Sequence, residues 1–203
     1  MTATLREPIA TIVSPYIVIP AVNIDTDQII PARFLKTTER VGLGPHAFHD
    51  WRYSADGRPK PDFPLNTADA EDARILVAGR NFGCGSSREH AVWALLDAGI
   101  RAVISSEFAD IFRGNALGNG LLPVQIDEEI VQELIHARKG ESVTVDLESQ
   151  TVTLPDGRAV QFPVPPFAKT CLLRGVDELG FLLDAAPEIE RHERERAPLS
   201  IAR

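Results

Sequence analysis

The stretch from Arg74 to Ser105 reads RILVAGRNFGCGSSREHAVWALLDAGIRAVIS. Arg74 to Gly79 is a short apolar run of the kind found in a buried strand. Glu89 to Leu96 places Ala91, Ala94 and Leu95, with Ala98 beyond, on one side of a helix that Gly99 closes as a C′ glycine. Ala102 to Ser105 is a second apolar run. Strand, glycine-rich loop, helix and strand in that order make a β–loop–α–β unit, whose strands run parallel in one sheet. The expected fold class is α/β.

The loop inside this unit, Arg80 to His90, carries the chemistry. Gly83 and Gly85 let the backbone turn sharply and bring N–H groups close to a ligand. The helix start adds unpaired donors and partial positive charge. Ser86 and Ser87 add hydroxyls, while Arg80 and Arg88 add guanidinium groups able to hold a carboxylate through two parallel bonds. The pattern is an anion cradle for a carboxylate or phosphate. It is not a Walker A loop, since no Gly-Lys-Ser/Thr follows, and it lacks the third glycine of a dinucleotide fingerprint. Nor is it a G-x-S-x-G elbow. A competing reading needs no ligand: Ser86-x-x-Glu89 fits a capping box, and the two glycines fit a turn. The residues alone leave both readings open. Cys84 has no histidine paired with it in the pattern and reads as a small packing residue.

Upstream, Ile9 to Val13 and Tyr16 to Val22 read as two short strands separated by Pro15, with Pro20 as a further interruption. Asn23 to Pro31 is a polar loop entering an apolar patch, followed by a helical turn at Ala32 to Leu35. Within it, Asp25-Thr26-Asp27 is a second candidate: two carboxylates flanking a hydroxyl can bind a metal or position a water, and a bare D-x-D equally serves as an Asx turn. Residues 42–72, rich in glycine and proline, read as a long excursion with one short helix. Its His46 and His49, together with His90, are acid–base candidates, and each is equally a plain surface or core histidine.

Downstream, Glu107 to Leu117 reads as a helix with Phe108, Ile111 and Phe112 on one face, and Leu121 to Ile126 as a strand. Asp127 is placed as N-cap of a helix over Glu128 to Arg138 that Gly140 closes. Val143 to Leu147 and Gln150 to Leu154 form a hairpin, and Pro155-Asp156-Gly157 turns the chain into a strand over Ala159 to Phe162. Helices over Pro165 to Leu173 and Val176 to Leu183 precede a charged, solvated tail over Glu188 to Arg203. The expected organisation is one α/β domain with an antiparallel β annex.

Bulk properties narrow the function. The 203 residues are 44% hydrophobic and 25% charged, enough for a globular chain with a buried core. A net charge of −8 argues against binding nucleic acid and requires any anionic substrate to be held by local positive charge. Two cysteines, Cys84 and Cys171, are too few for the thiolates of an iron–sulfur cluster, so another chain would have to supply one. No basic n-region with an apolar core opens the chain, and no apolar run reaches the roughly 18 residues of a membrane span. The expected location is the cytoplasm, without membrane association.

NIDTDQIIPARFL at 23–35, HDWR at 49–52, NFGCGSSREHAVWAL at 81–95, FADIF at 108–112 and GNGLLPV at 118–124 together resemble the small-subunit family of bacterial 3-isopropylmalate dehydratase. That family is similar to the swivelling C-terminal domain of aconitase, and GSSRE is shared across the wider superfamily. The resemblance implies a swivelling β/β/α domain spanning residues 1–203, with its core at about 7–185 and a charged tail at 186–203. It implies a hydro-lyase of leucine biosynthesis, interconverting 2-isopropylmalate and 3-isopropylmalate through an unsaturated dicarboxylate. The 4Fe–4S cluster is expected on the large-subunit partner, and no cofactor or metal on this chain.

Carried over by residue, the resemblance makes Ser86 the catalytic base that takes a proton from carbon. Ser87 and Arg88 become substrate-binding groups, and Thr26 and Asp27 line the same cleft. Arg33-Phe34-Leu35-Lys36, continuing to Arg40, resembles the specificity loop. Phe34 or Leu35 would offer apolar surface to an isopropyl group, whereas Arg33, Lys36 and Arg40 suit a substrate with a further carboxylate. The alternatives are the small subunit of a hydro-lyase for homoaconitate, citraconate or maleate, or a non-catalytic module that binds carboxylates and regulates a partner.

Overall fold

The computed structural model describes residues 7–138 and 140–195. Among them, β1 (Thr11–Ile19), β2 (Ile75–Ala78), β3 (Ala102–Ser105), β4 (Leu122–Gln125), β5 (Ser142–Asp146), β6 (Thr151–Thr153) and β7 (Ala159–Gln161) form one sheet, in the order β4-β3-β2-β1-β5-β6-β7. β1 to β4 run parallel, and β5 to β7 continue the sheet antiparallel from β1. Eight helices accompany it among the described residues: α1 (Thr26–Ile29), α2 (His49–Arg52), α3 (Glu89–Asp97), α4 (Asp110–Asn119), α5 (Glu128–His136), α6 (Pro166–Arg174), α7 (Glu178–Asp184) and α8 (Ala186–Glu195).

The expected β–loop–α–β unit is β2, the glycine-rich loop, α3 and β3, with Ile75, Leu76 and Val77 in parallel register against Ala102, Val103 and Ile104. β1 differs from expectation, being one strand where two were read. The reason lies at Pro15. It is the last residue in antiparallel register with β5, opposite Ser142, and the parallel register with β2 begins at the next residue, Tyr16. A proline is tolerated where one ladder ends, because it has no N–H to contribute. β1 therefore joins the parallel and antiparallel halves without a break.

Strand residues alternate between two cores. Leu76, Ala78, Val103, Ile17 and Ile19 face one, with Ala91, Val92 and Leu95 of α3, Phe112 of α4 and Phe48 of the 42–72 excursion. Ile75, Val77, Ala102, Ile104, Leu122 and Val124 face the other, with Val131 and Leu134 of α5 and Leu172 of α6. Leu95 is fully buried. Truncating such a side chain to alanine costs about 2–5 kcal/mol, so either core can dominate stability.

The expected helix over Glu107 to Leu117 begins only at Asp110. The residues before it are used otherwise: Phe82 N–H donates to Glu107 O, and Ala109 N–H donates to Phe82 O. Phe108, Ile111 and Phe112 do not share a face. Phe112 points inward, and Ile111, one residue and about 100° away, is exposed. Asp127 stands at the N-cap of α5, but its side chain makes no capping bond. The 42–72 excursion holds α2 and three 3-10 turns. α8 is exposed from Pro187 onward, in keeping with the expected solvated tail. The end of that tail, residues 196–203, and the N-terminal residues 1–6 lie outside the described residues, as does residue 139 after α5. No helix among the described residues is long and apolar enough to cross a membrane.

Candidate active-site loops

β1 and β2 are parallel neighbours, so the chain leaves both at the same end of the sheet. The two exits, 20–27 and 79–88, are stitched together. Asn23 N–H donates to Arg80 O at 2.8 Å, and Gly83 and Cys84 N–H donate to Ile24 O at 2.8 and 3.2 Å. Thr26 N–H donates to Cys84 O at 2.9 Å, and Thr26 Oγ1, itself buried, donates to Ser86 O at 2.9 Å. Asn23 and Asn81 both take left-handed backbone, φ 55 and 60, and bond to each other through their side chains at 2.9 Å. Asparagine enters that region more readily than other residues with a Cβ. The two sequence candidates, Asp25-Thr26-Asp27 and the glycine-rich loop, thus form one structure.

The local reasons for each position differ. Asp25 caps α1: Gln28 N–H donates to Asp25 Oδ1 at 2.7 Å, and Asp25 N–H donates to Gln28 Oε1 at 2.8 Å, a full capping box. That separates the two carboxylates, leaving Asp27 to face Arg88. Among the described residues no group of three or more His, Cys, Asp or Glu is arranged to hold a metal ion.

Ser86 and Glu89 do not form the capping box that their spacing allows. α3 begins at Glu89 behind Arg88, which stands at the N-cap without a side-chain cap. Glu89 instead accepts from Asn119 Nδ2 at 2.7 Å, tying α3 to α4. Ser86 and Ser87 therefore stand exposed, free of a capping duty.

Arg88 is largely enclosed, its side chain 17% exposed, and its Nη1 meets Asp27 Oδ1 as an ion pair without the direction of a good hydrogen bond. The guanidinium holds the Asp27 carboxyl below its ordinary value, outweighing partial desolvation. Arg80 does not join Arg88 as expected, because its Nε donates to Glu107 Oε2 at 2.6 Å. Cys84 Sγ donates to Asn23 O at 3.3 Å, and burial together with Asp25 raises its thiol pKa. A thiol held protonated is a poor nucleophile, which fits a packing role.

The specificity-loop candidates lie on the neighbouring excursion. Arg33 is engaged, with Nη1 donating to Asp50 Oδ2 at 3.0 Å and Nη2 lying 3.0 Å from His49 Nδ1. Phe34 stacks on His46 with centroids 4.0 Å apart and planes at 9°. Burial, His49 and Arg33 all push the His46 pKa down, keeping it neutral. Leu35 packs against the core, and Lys36 is exposed. Beyond them, Thr37 O lies 2.8 Å from His90 Nε2, and the Arg40 guanidinium sits 5.3 Å over the Trp93 ring. Among the described residues none of the three candidate histidines bonds Ser86; they organise the loop beside it. Sequence reasoning missed the Asn23–Asn81 pair and the Glu89–Asn119 tie. A signal existed only for the first, an asparagine shortly after each of two strand ends.

The chain matches the aconitase C-terminal domain family over residues 18–129, and a second model, LeuD_N, over residues 132–166. It is 61% identical over 187 residues to the 3-isopropylmalate dehydratase small subunit of Anaeromyxobacter dehalogenans strain 2CP-1, covering 92% of this chain and 97% of the relative. The protein of the same name from Roseiflexus sp. strain RS-1 is 56% identical, over 94% of this chain and 95% of the relative. The crystal structure of a 3-isopropylmalate dehydratase from Methanocaldococcus jannaschii superposes with a TM-score of 0.67 at 28% identity, covering 90% of this chain and 99% of that one. The fold is the aconitase C-terminal type. With the TD segment and GSSRE loop joined in one structure and near-complete coverage on both sides, the chain belongs to the 3-isopropylmalate dehydratase small-subunit family.

Proposed function

We propose that this chain is the small subunit of a heteromeric hydro-lyase that interconverts 2-isopropylmalate and 3-isopropylmalate in leucine biosynthesis, acting as one swivelling domain against a cluster-bearing large subunit. The observation that carries the reading is the stitching of Thr26 and Asp27 to the Ser86–Arg88 loop. It sets hydroxyls and one enclosed arginine together on an exposed face, as a site completed by a second chain requires.

Ser86 is the base that removes a proton from substrate carbon. A hydroxyl is far too weak a base unless its alkoxide is stabilised, and the start of α3 with the Arg88 guanidinium supplies local positive potential. Ser87 bonds substrate, Arg88 holds a carboxylate, and Thr26 and Asp27 line the cleft. The chain's own donors do not fit a 4Fe–4S cluster: Cys84 is engaged with Asn23 O, and Cys171 is buried in α6. The cluster is assigned to the large subunit.

The loop favours an isopropyl group over an additional carboxylate. Arg33 is taken by Asp50 and His49, and Arg40 lies on Trp93, so of the three cations Lys36 alone stands exposed without a partner among the described residues, beside the half-buried apolar pair Phe34 and Leu35. Purifying the chain with a cluster-bearing large subunit tests the reading. Isopropylmalate turnover should need both chains; turnover by this chain alone, or by the complex only on homoaconitate, citraconate or maleate, would overturn it.

A further inference from the structure

We infer that His90 is a positioning residue for substrate discrimination, mooring residues 36–42 to the helix that starts at the anion clamp; this rests on the proposed dehydratase reading. Residues 36–42 run between the 3-10 turns Ala32–Phe34 and Gly44–His46. Among the described residues, the hydrogen bond that ties this strap to the body of the fold is the one between His90 Nε2 and Thr37 O, 2.8 Å long. The bond from Glu39 N–H to Thr37 Oγ1 stays within the strap. A second hold comes from Arg40 over the Trp93 ring.

The mooring is itself rigid. The His90 ring packs on Trp93, with centroids 4.5 Å apart. Trp93 Nε1 donates to Asn119 Oδ1 at 2.9 Å, and Asn119 Nδ2 donates to Glu89 Oε1 at 2.7 Å. Asn119 is buried on α4, so α3, α4 and the two rings form one unit. His90 lies two residues beyond Arg88 on that unit. The segment leading into the strap is held separately, by Phe34 stacked on His46 and Arg33 paired with Asp50. Leu35 and Lys36 thus lie between two anchors, one of which stands on the helix that follows the carboxylate clamp. Facing a carbonyl oxygen, which can only accept, His90 Nε2 carries the proton of this bond and donates it. Loss of this anchor would loosen the surface that meets the substrate side group and leave Ser86 and Arg88 in place.

The test has two arms. In the isolated chain, His90→Ala should speed exchange about tenfold at Glu39, the amide of the strap that is hydrogen-bonded, to Thr37 Oγ1 beside the mooring, roughly the scale of one lost hydrogen bond, with residues 86–88 unaffected. In the complex with the large subunit, the same variant should raise KM for isopropylmalate about tenfold, with kcat within roughly threefold of the parent. Preference for isopropylmalate over hydroxy-diacids with a smaller side group, such as malate, should fall. His90→Gln, which keeps an N–H donor, should restore much of both. Unchanged exchange at Glu39 overturns the mooring. Faster exchange with unchanged preference, or a fall in kcat alone, overturns the role in discrimination. A wild-type complex inactive on isopropylmalate instead defeats the dehydratase reading, and the exchange arm still decides the mooring. If His90→Ala does not fold, Trp93→Phe, which removes the Asn119 bond, should shift the same readouts less far.

Discussion

Gly83, in the loop after β2, and Gly157, in the turn between β6 and β7, both take left-handed backbone, φ 76 and 87. At Gly157 a Cβ would meet open space, whereas at Gly83 it would fall 2.1 Å from Phe112 Cγ. The hairpin turn is therefore shaped by its own residues: Asp156 accepts from Arg158 N–H at 2.9 Å, and Leu154 and Arg158 close the turn between them. The glycine-rich loop is shaped from outside, by Phe112 of α4 and by the exit of β1 at Ile24 and Thr26. One region is a local solution that its own sequence dictates. The other is a tertiary assembly in which distant residues settle every feature, and it is the one that presents the serines and arginine.

The largest effect expected from breaking the assembled loop is catalytic. Ser86→Ala removes the proposed base, and kcat of the reconstituted complex should fall about 10²–10⁴-fold, the range for loss of a general base. Ser86 is exposed, so the melting temperature of the isolated chain should stay within a degree or two, roughly the effect of a surface substitution. Comparable kcat values for variant and parent would remove Ser86 from the chemistry. Next comes Gly83→Ala. It combines a left-handed backbone with overpacking against Phe112, so urea denaturation should show a loss of about 2–5 kcal/mol. The aromatic ring has little freedom to retreat, being packed edge-on to Phe82 at 5.2 Å.

The same contrast explains what was legible in the sequence. Ile75 to Ala78 and Ala102 to Ser105 are buried on both faces, and unbroken apolar runs announce such strands. The hairpin of β5 and β6 was legible because its alternation and its turn are local. β1 reads as two strands in the sequence, since nothing near Pro15 signals that its partner changes from β5 to β2 there. The Ser86–Glu89 spacing suggested a cap, but Asn119, 30 positions away, takes Glu89. The loop sequence puts Arg80 in the anion site, but Glu107, 27 positions away, holds it. Family resemblance proposes Ser86, Ser87, Arg88, Thr26 and Asp27 as one set. Their joining through Thr26 Oγ1 and the mooring of the loop beside them by His90 depend on contacts that no local pattern encodes.

At the hairpin, Gly157→Ala should cost only about 1–2 kcal/mol in the same urea series, the penalty for a left-handed alanine without a steric clash. A loss equal to that of Gly83→Ala would erase the distinction between a turn strained only in its backbone and a loop also closed by its neighbours.

The smallest effect belongs to the ion pair between Asp27 and Arg88. Arg88 lowers the Asp27 carboxyl pKa, so the pair's contribution is fully present above the unfolded carboxylate pKa of about 3.9 and is lost as pH falls through the lower folded value. Asp27 is 52% exposed, and solvent screening leaves such a pair roughly 0–1 kcal/mol. Carboxyl NMR titration of the isolated chain should therefore place Asp27 below the ordinary carboxylate midpoint, and Arg88→Gln should move it back up. An Asp27 midpoint that ignores Arg88→Gln would mean that the two loops meet through Thr26 and the backbone alone. The arginine would then stand uncommitted at the exposed face, held in place by its enclosure rather than by a counter-ion.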